Sequence, residues 1–317
     1  MEAISLKSVQ RVEVTTFLDN YIDLLLESTP FVKRPPLARQ GRIPTDSLIA
    51  EHGLSLLIET EGEGGRHTIL LDTGYNAQSM IHNMAWLQTD LSTIEAIVIS
   101  HAHMDHAGAL YPLLEKMKRP VPLVAHPGIF AQSRILKTKE GREIRFPSCY
   151  DRDRLVSAGI ELVESKGPTF VADDTILVTG EVDRTTDFEK GMTGAFVEKN
   201  RQMQPDPIID DQSLIVHLRG KGLIVITGCC HAGLINTIRY AQKITGVNDV
   251  HAVLGGLHLS GPAFAPIVER TIDELQRLNP ALIVPMHCTG WKSTKRISEA
   301  FEQGFVLNSV GTTYILE

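Results

Sequence analysis

The chain has 317 residues, of which 43% are hydrophobic and 22% charged, a composition typical of a globular protein with a sizeable core. Its formal net charge of -7 argues against a general nucleic-acid binder, whose binding domain should be basic. No apolar run reaches the ~18 residues that a transmembrane helix needs, and the N-terminus lacks the apolar core of a signal peptide. We therefore predict a cytoplasmic protein with a small-molecule substrate and with neither a nucleic-acid nor a membrane partner.

Two segments of the sequence follow the same plan. Residues 55–74 and 213–228 are largely apolar, and each segment is divided by a glycine-rich turn, at 62–65 and at 219–222. This turn chemistry predicts two β-hairpins. Both hairpins end in Thr-Gly and are followed by a further apolar strand that leads to histidine. The repetition indicates a diverged internal duplication.

The helices between the strands are predicted from their periodicity. Leu110, Leu113, Leu114 and Met117 recur at helical spacing, and residues 264–275 repeat the pattern. The strands are apolar almost throughout, which implies that both of their faces are buried. We therefore predict one α/β domain over residues 1–317, a four-layer α/β/β/α sandwich of two pseudo-duplicated halves.

The middle of the chain, at about 126–211, has a different character. It is charged and interrupted by prolines, with one strand-like piece at 175–178. We interpret this segment as a loop-rich elaboration beside the active site. A disordered linker is the alternative, although the embedded apolar pieces argue against it.

The four cysteines, Cys149, Cys229, Cys230 and Cys288, have no CxxC spacing and form no disulfide framework. We interpret them as small packing residues, because free cysteine is commonly buried. The alternative is a reactive thiol, since three of them flank histidines that are candidate metal ligands.

The chemistry is concentrated in one short motif. His101, His103, Asp105 and His106 lie within six residues, directly after the apolar run 96–99. Imidazole nitrogens and carboxylate oxygens together suit zinc, iron or manganese. Because His101 and His103 are two residues apart, an extended backbone would point both to the same side. Asp105 and His106 follow where the chain leaves the strand, which suggests a second metal nearby.

Further candidate ligands end other apolar strands. Asp72, His231, His258 and His287 each follow such a strand, so each should reach one rim of the sandwich. A lone histidine in this position is more often a satisfied polar group than a ligand. Several histidines in equivalent positions on separate strands instead favour a shared metal site.

These motifs carry a family resemblance. The sequence His-Ala-His-Met-Asp-His at 101–106 resembles the HxHxDH motif of the metallo-β-lactamase superfamily, and Asp-Thr-Gly at 72–74 resembles its first motif. The resemblance implies a metallo-β-lactamase type of sandwich. A more specific set of motifs is similar to the subgroup of 7,8-dihydropterin-6-yl-methyl-4-(β-D-ribofuranosyl)aminobenzene 5′-phosphate synthases, and it comprises residues 51–55, 179–181, 210–214, 227–233, 255–259 and 287–290.

The resemblance also implies two divalent transition-metal ions, with zinc as first choice and manganese or iron as alternatives. One ion would be held by His101, His103 and His231, and the other by Asp105, His106 and His287. Many superfamily members place a bridging aspartate between the later histidines, and this chain departs from that pattern, because the residue that follows a strand between His231 and His287 is a histidine. His258 occupies that interval, where it would either ligate a metal or orient the substrate. Asp72 would accept a hydrogen bond from a ligand histidine, or else cap the following helix.

We accordingly predict a hydrolase in which metal-activated water attacks a small phosphorylated or ester-type substrate, with Asp105 and His258 as the catalytic residues. The subgroup implies an alternative, a transferase in which the metals activate a diphosphate leaving group on a pterin. A di-iron oxidoreductase ranks lower, because His103 stands where such enzymes have a glutamate. A non-catalytic binding protein also ranks lower, because the set of candidate metal ligands is nearly complete.

The substrate contacts are left open by the sequence. Trp291 follows the last histidine motif and would stack on a flat ring or pack at the rim. Several cations would either meet a phosphate or remain solvated at the surface, namely Arg184, Lys190, Lys292 and Lys295.

Overall fold

The computed structural model describes residues 4–131, 133–199 and 201–317. Its strands, in chain order, are β1 (Ser8–Val9), β2 (Arg11–Leu18), β3 (Val32–Lys33), β4 (Ser55–Gly62), β5 (Gly65–Leu71), β6 (Ala96–Val98), β7 (Pro122–Ala125), β8 (Arg134–Lys137), β9 (Glu143–Arg145), β10 (Glu161–Glu164), β11 (Thr169–Val171), β12 (Ile176–Val178), β13 (Ala195–Lys199), β14 (Gln202–Pro205), β15 (Ser213–Leu218), β16 (Gly222–Thr227), β17 (Val250–Gly256), β18 (Leu282–Met286) and β19 (Thr313–Leu316).

The α-helices are α1 (Ala77–Trp86), α2 (Met104–Ala107), α3 (Leu110–Met117), α4 (Arg152–Ser157), α5 (Leu234–Thr245), α6 (Val268–Leu278) and α7 (Trp291–Ala300). Short 3-10 turns occur at Leu91–Thr93, Pro127–Phe130, Ala265–Ile267 and His287–Thr289. Within the described ranges, every helix falls short of the length and apolarity required to cross a membrane.

Two large sheets form the centre of the molecule. The first sheet has eight strands in the order β10-β7-β6-β5-β4-β2-β19-β3. The second has seven, in the order β11-β12-β15-β16-β17-β18, with β1 paired to β15. In the first sheet the hairpin β4–β5 is followed by the parallel strands β6 and β7, and in the second the hairpin β15–β16 is followed by the parallel strands β17 and β18. This shared order confirms the predicted duplication.

Successive side chains along each strand point to opposite faces of the sheet and so pack in different layers. Leu56 and Ile58 of β4 belong to a core cluster that includes Leu214 and Val216 of β15, so these side chains fill the space between the sheets. Leu57, between them in sequence, instead packs in a second cluster with residues of α1 and α3. A third cluster joins the outer face of the second sheet to α5, α6 and α7. Helices therefore cover both outer faces, and the predicted four-layer α/β/β/α sandwich is confirmed.

Residues 126–211, predicted as an elaboration, divide into three parts. Strand β10 extends the first sheet beside β7, and β11 and β12 extend the second sheet beside β15. The remaining strands form a separate four-stranded antiparallel sheet in the order β14-β13-β8-β9. This small sheet is connected to the HxHxDH loop through Arg134, as described below.

Candidate metal centre

The candidate residues lie on loops that follow parallel strands. Strands β5 and β6 are parallel neighbours, as are β16, β17 and β18, so their carboxyl ends meet at one edge of each sheet. Asp72 follows β5, and the HxHxDH segment follows β6. His231, His258 and His287 follow β16, β17 and β18. The two sheets bring these loops together at one rim of the sandwich, the usual place for chemistry in such folds.

His101 and His231 are in contact across the two halves of the chain. Their Nε2 atoms are 3.2 Å apart, and both residues are buried. Two nitrogens bound at 2.0–2.1 Å to one tetrahedral ion would lie roughly 3.3 Å apart, so this spacing fits a shared ion. The Cys229 Sγ lies within 4.8 Å of both donor atoms, which completes a group of three.

A second group contains His106, His287 and the same Cys229, again with all donor atoms within 4.8 Å of one another. The His106 Nε2 is 3.2 Å from the Cys229 Sγ. The His287 Nε2 is 3.2 Å from the Asp105 Oδ2, and Asp105, His287 and His52 make a further donor group. The structure thus brings most of the predicted ligands together, and it divides them into two neighbouring groups.

Buried nitrogen atoms without partners indicate that these groups suit a cation. Among the described residues, the Nδ1 atoms of His231, His258 and His287 have no hydrogen-bond partner, and the His287 Nε2 lies beside the Asp105 carboxylate, at 3.2 Å. A buried polar atom left unpaired costs about 1–3 kcal/mol. Because these rings also belong to groups of three residues whose donor atoms lie within 4.8 Å of one another, a transition-metal ion fits the residues present.

Two predicted residues occupy the edge of the site. The His103 ring is 4.5 Å from the His101 ring, but in the described chain it belongs to none of the donor groups of three within 4.8 Å. Instead it stacks on Phe146 at 4.7 Å, with 10° between the planes. The His258 ring is 4.1 Å from the His231 ring, and its donor atom groups with the thiols of Cys229 and Cys288.

Asp72 fixes the orientation of His106. The Asp72 Oδ2 lies 2.6 Å from the His106 Nδ1, and the same carboxylate accepts hydrogen bonds from the backbone N–H and the hydroxyl of Ser100 at 2.7 and 2.6 Å. With Nδ1 engaged, the Nε2 atom is directed towards Cys229. The alternative role of capping α1 falls to Asn76, whose side chain accepts the N–H of Gln78 at 3.2 Å.

Burial and charge set the protonation of the imidazoles. Burial, reinforced by neighbouring imidazoles, holds the pKa values of His101 and His231 well below the ordinary range, and burial lowers the pKa of His103 to about 4. These rings are therefore neutral, the form in which imidazole binds a metal. For His106, burial lowers the pKa, but the carboxylates of Asp72 and Asp105 outweigh it and raise the pKa to about 9.

Two further carboxylates anchor the loops of the site. Asp210 accepts the backbone N–H of Ala102 at 3.0 Å, and Asp211 accepts that of Ala232 at 2.9 Å. Arg134 from the small sheet is 7% exposed and pairs with Asp210. The small sheet is thereby tied to the HxHxDH loop, because one aspartate binds both.

The backbone is strained at the strand ends around the site. Asp72, Cys230, His258 and His287 have φ angles of 58°, 65°, 47° and 50°, in the left-handed region that favours glycine. Each such residue costs about 1–3 kcal/mol, and residues of this kind cluster at functional sites. Four such residues at four strand ends indicate that side-chain direction here is set at the expense of stability.

Two residues of the site are absent from the predicted ligand set. From the sequence, Cys229 is interpreted as a packing residue, with a reactive thiol as the alternative, and the structure places its sulfur within 4.8 Å of the donor atoms of both histidine groups. It follows β16 just as the predicted ligands follow their strands, and that position was an available signal. His52 lies on an irregular loop, is largely exposed, and places its Nε2 3.6 Å from the Asp105 Oδ2. His52 lies in the segment 51–55 that resembles a motif of the synthase subgroup, and that resemblance was the available signal.

Two grooves share Trp291 in their lining. One has a volume of about 700 Å³ and is lined by apolar residues together with Lys292 and the ion pair of Glu269 and Arg296. The other, of about 350 Å³, reaches His287 and is lined by Tyr21. Trp291 is 72% exposed, so its ring is available to a ligand from both sides.

The other predicted phosphate contacts are engaged elsewhere or lie at the surface. Arg184 donates to the carbonyl of Pro207, Lys295 lies 3.8 Å from Glu299, and Lys190 is exposed.

Comparison with known proteins identifies the family. A family model described as the metallo-beta-lactamase superfamily matches residues 49–191. A curated protein of Methanocaldococcus jannaschii, 7,8-dihydropterin-6-methyl-4-(beta-D-ribofuranosyl)-aminobenzene-5'-phosphate synthase, is 33% identical over 264 residues, which cover 81% of this chain and 87% of that protein. The chain belongs to the metallo-beta-lactamase superfamily. This bears out the resemblance seen in its HxHxDH and neighbouring motifs.

Two further proteins are similar to this chain. An uncharacterized protein of Methanocaldococcus jannaschii is 31% identical, with 83% of this chain and 92% of that protein covered. The crystal structure of a metal-dependent hydrolase of the superfamily matches with a TM-score of 0.71 at 21% identity, covering 96% of this chain and 98% of that one. At this identity the likeness establishes the metallo-beta-lactamase fold. Together with the named relative, it indicates that the chain is an enzyme.

Proposed function

We propose that this chain is a metal-dependent hydrolase that acts on a small phosphorylated or ester-type molecule at a site for two divalent transition-metal ions, zinc first among them. The observation that carries the proposal is the pair of buried donor groups that meet at Cys229. Of the predicted ligands, His101 and His231 would hold one ion, and His106 and His287 the other. His103 would be the third ligand of the first ion, and Asp105 the third ligand of the second ion.

When bound, such ions lower the pKa of water towards 7 and so supply hydroxide at neutral pH. The role of Asp105 is to orient the attacking water, because its carboxylate lies beside His287 and faces the exposed His52. Burial raises the pKa of Asp105, but the charges of His106 and His287 lower it further, so the carboxylate is ionised. An ionised carboxylate accepts a hydrogen bond from water and holds it for attack.

His258 would orient the substrate. Its Nδ1 has no hydrogen-bond partner in the described chain, and its ring lies against that of His231. The ring is also held edge-on by Phe264, 4.7 Å away. A histidine fixed in this way can donate to a substrate oxygen close to the first donor group.

The grooves beside Trp291 would bind the remainder of the substrate. A flat ring placed against Trp291 and Tyr21 would lie next to His287, because all three line the smaller groove. Lys292 lines the larger groove and supplies positive charge for a phosphate, whereas Arg296 in the same groove is paired with Glu269. This combination favours a substrate with an aromatic ring and an anionic group.

A transferase of the dihydropterin type is the second candidate, and the 33% identical relative favours it. The product in that relative's name joins a dihydropterin methyl carbon to an aminobenzene ribofuranosyl phosphate. Formation of that bond needs a leaving group on the methyl carbon, and bound metals would stabilise a departing diphosphate. The same donor groups therefore serve either reaction.

One assay separates the two candidates. The metal-loaded protein is incubated with phosphodiester, lactone and thioester substrates, and separately with a dihydropterin diphosphate plus 4-(β-D-ribofuranosyl)aminobenzene 5′-phosphate. Turnover in the first set supports the hydrolase, and condensation in the second supports the transferase. His101→Ala should abolish either activity, whereas His251→Gln, near the far end of β17, should retain it. Absence of turnover in every reaction would reject both proposals.

We also propose that the protein functions in a reducing compartment such as the cytoplasm. All four cysteines are free, and Cys229 and Cys288 lie close together at the centre of the site. Thiols in that arrangement serve as ligands only while they remain reduced.

A further inference from the structure

Cys229 lies at the point where the donor groups of the site meet. Its sulfur belongs to the group of His101 and His231 and also to the group of His106 and His287. The Cys229 side chain is 3% exposed. The two histidine groups therefore share one soft donor atom, buried between them.

The neighbouring cysteine has a different environment. The Cys230 Sγ lies 3.5 Å from the Thr237 hydroxyl of α5, and Cys230 packs in the core cluster beneath that helix. Its φ angle of 65° turns the chain at this point, so the two adjacent thiols face different surroundings. The difference makes Cys230 a matched control for any experiment on Cys229.

We propose that the Cys229 thiolate bridges the two metal ions. The inference rests on the metal site of the proposed function and extends it to a ligand set that differs from the carboxylate-bridged type. It also accounts for a histidine, His258, rather than an aspartate at the strand end between His231 and His287, because the bridging atom would come from the residue two positions before His231.

The distances are compatible with this arrangement. With a metal–sulfur bond of about 2.3 Å and metal–nitrogen bonds of about 2.0–2.1 Å, sulfur and nitrogen on one tetrahedral ion lie roughly 3.5 Å apart. The Cys229 Sγ is 3.2 Å from the His106 Nε2 and within 4.8 Å of the donor atoms of His101, His231 and His287. A single sulfur can also reach both members of a pair about 3.5–4 Å apart, since two such bonds span up to roughly 4.6 Å.

A bridging thiolate has a consequence for the identity of the metal. Thiolate ligands select zinc and iron, whereas manganese and magnesium prefer carboxylate, carbonyl and water oxygen. The proposal therefore narrows the choice to zinc or iron and disfavours manganese. Cobalt(II) can take the place of zinc as a spectroscopic probe of the same ligands.

The test is a cobalt(II) titration of the metal-free full-length protein, followed by the near-ultraviolet thiolate-to-cobalt charge-transfer band and by the number of ions retained. We expect two ions per chain and a band that grows through both equivalents. Cys229→Ser should lose the band and at least one ion. Cys229→Asp should retain two ions without the band, because a carboxylate can replace the bridge. Cys230→Ser should behave like the unchanged protein.

Three results would overturn the proposal. If the protein binds two cobalt ions without the band, the thiolate bridge is rejected, but the proposed two-metal site is supported. A band that persists in Cys229→Ser and disappears in Cys288→Ser would assign the ligand to Cys288. A protein that binds no cobalt would reject the metal site together with its bridge. Should Cys229→Ser fail to fold, a band retained in Cys149→Ser, Cys230→Ser and Cys288→Ser would still assign the sulfur to Cys229.

Discussion

The Nδ1 of His106 lies 2.6 Å from the Oδ2 of Asp72, and both side chains are completely buried. Asp72 follows β5, and His106 lies in α2 beyond β6, so the contact joins two adjacent parallel strands. It fixes the ring and raises its basicity, as carboxylates do for metal-binding histidines in general. The first two predictions follow from this pair.

Asp72→Asn should weaken metal binding. The amide retains the size of the carboxylate but loses its charge, so His106 becomes a poorer and less firmly held ligand. We expect a 10–100-fold loss of metal affinity, about the range for outer-shell carboxylates, measured by competition with a chelator of known affinity. Asp90→Asn, which alters a side chain that caps a remote surface turn, serves as the control. Equal affinities for Asp72→Asn and the unchanged protein would show that the contact has no role in binding.

The stability of the metal-free protein should fall as the pH rises from neutral to about 9. The pKa of His106 is raised to about 9 in the folded protein, against an unfolded value of about 6.5, so protonation favours the folded state. This contribution is fully present below about pH 6.5 and is lost as the pH rises through about 9. Melting temperatures measured across this interval test it. Asp72→Asn should flatten the dependence, and a stability that increases with pH would be inconsistent with a protonated His106.

Arg134→Met should destabilise the fold. Arg134 is buried against Asp206 and Asp210, and its removal leaves two buried carboxylates without their cation. Breaking a buried pair in this way costs about 3–5 kcal/mol, which denaturant unfolding can measure. Arg145→Met, on an adjacent strand of the small sheet and 64% exposed, should change stability by less than about 0.5 kcal/mol. A loss equally small in both variants would mean that Arg134 is dispensable.

Trp291→Ala should impair substrate binding while leaving the fold unchanged. The side chain is 72% exposed, so its loss removes little packing. If a substrate ring stacks there, KM should rise about 2–12-fold, since an aromatic contact contributes about 0.5–1.5 kcal/mol, and kcat should change less. Steady-state kinetics with the substrate found in the assay would show this. A fall in kcat at constant KM would place Trp291 outside the binding groove.

Much of the fold and part of the site could be predicted from the sequence. The apolar strands show where Asp72, His101, His231 and His287 leave the sheets, and a shared strand end predicts a shared rim. The glycine-rich turns predict the hairpins β4–β5 and β15–β16, and the structure contains both. These features are local in sequence, and local patterns identify them directly.

The remaining features depend on contacts between distant segments. Whether Cys229 or Cys230 faces the histidines depends on a φ angle of 65° at Cys230, which its side chain does not specify. His103 stacks on Phe146, a residue supplied by the small sheet, and no pattern near His103 predicts that contact. His52 reaches Asp105 only because two loops pack together.

The measurement that tests the central claim most directly is the number of zinc ions retained per chain. The protein is loaded with zinc and dialysed, and its metal content is then determined by inductively coupled plasma mass spectrometry. The account predicts two ions in the unchanged protein and in His251→Gln, and fewer in His101→Ala and His287→Ala. Retention of no zinc would contradict the metal centre itself, and retention of a single ion by the unchanged protein would contradict the pair that shares Cys229.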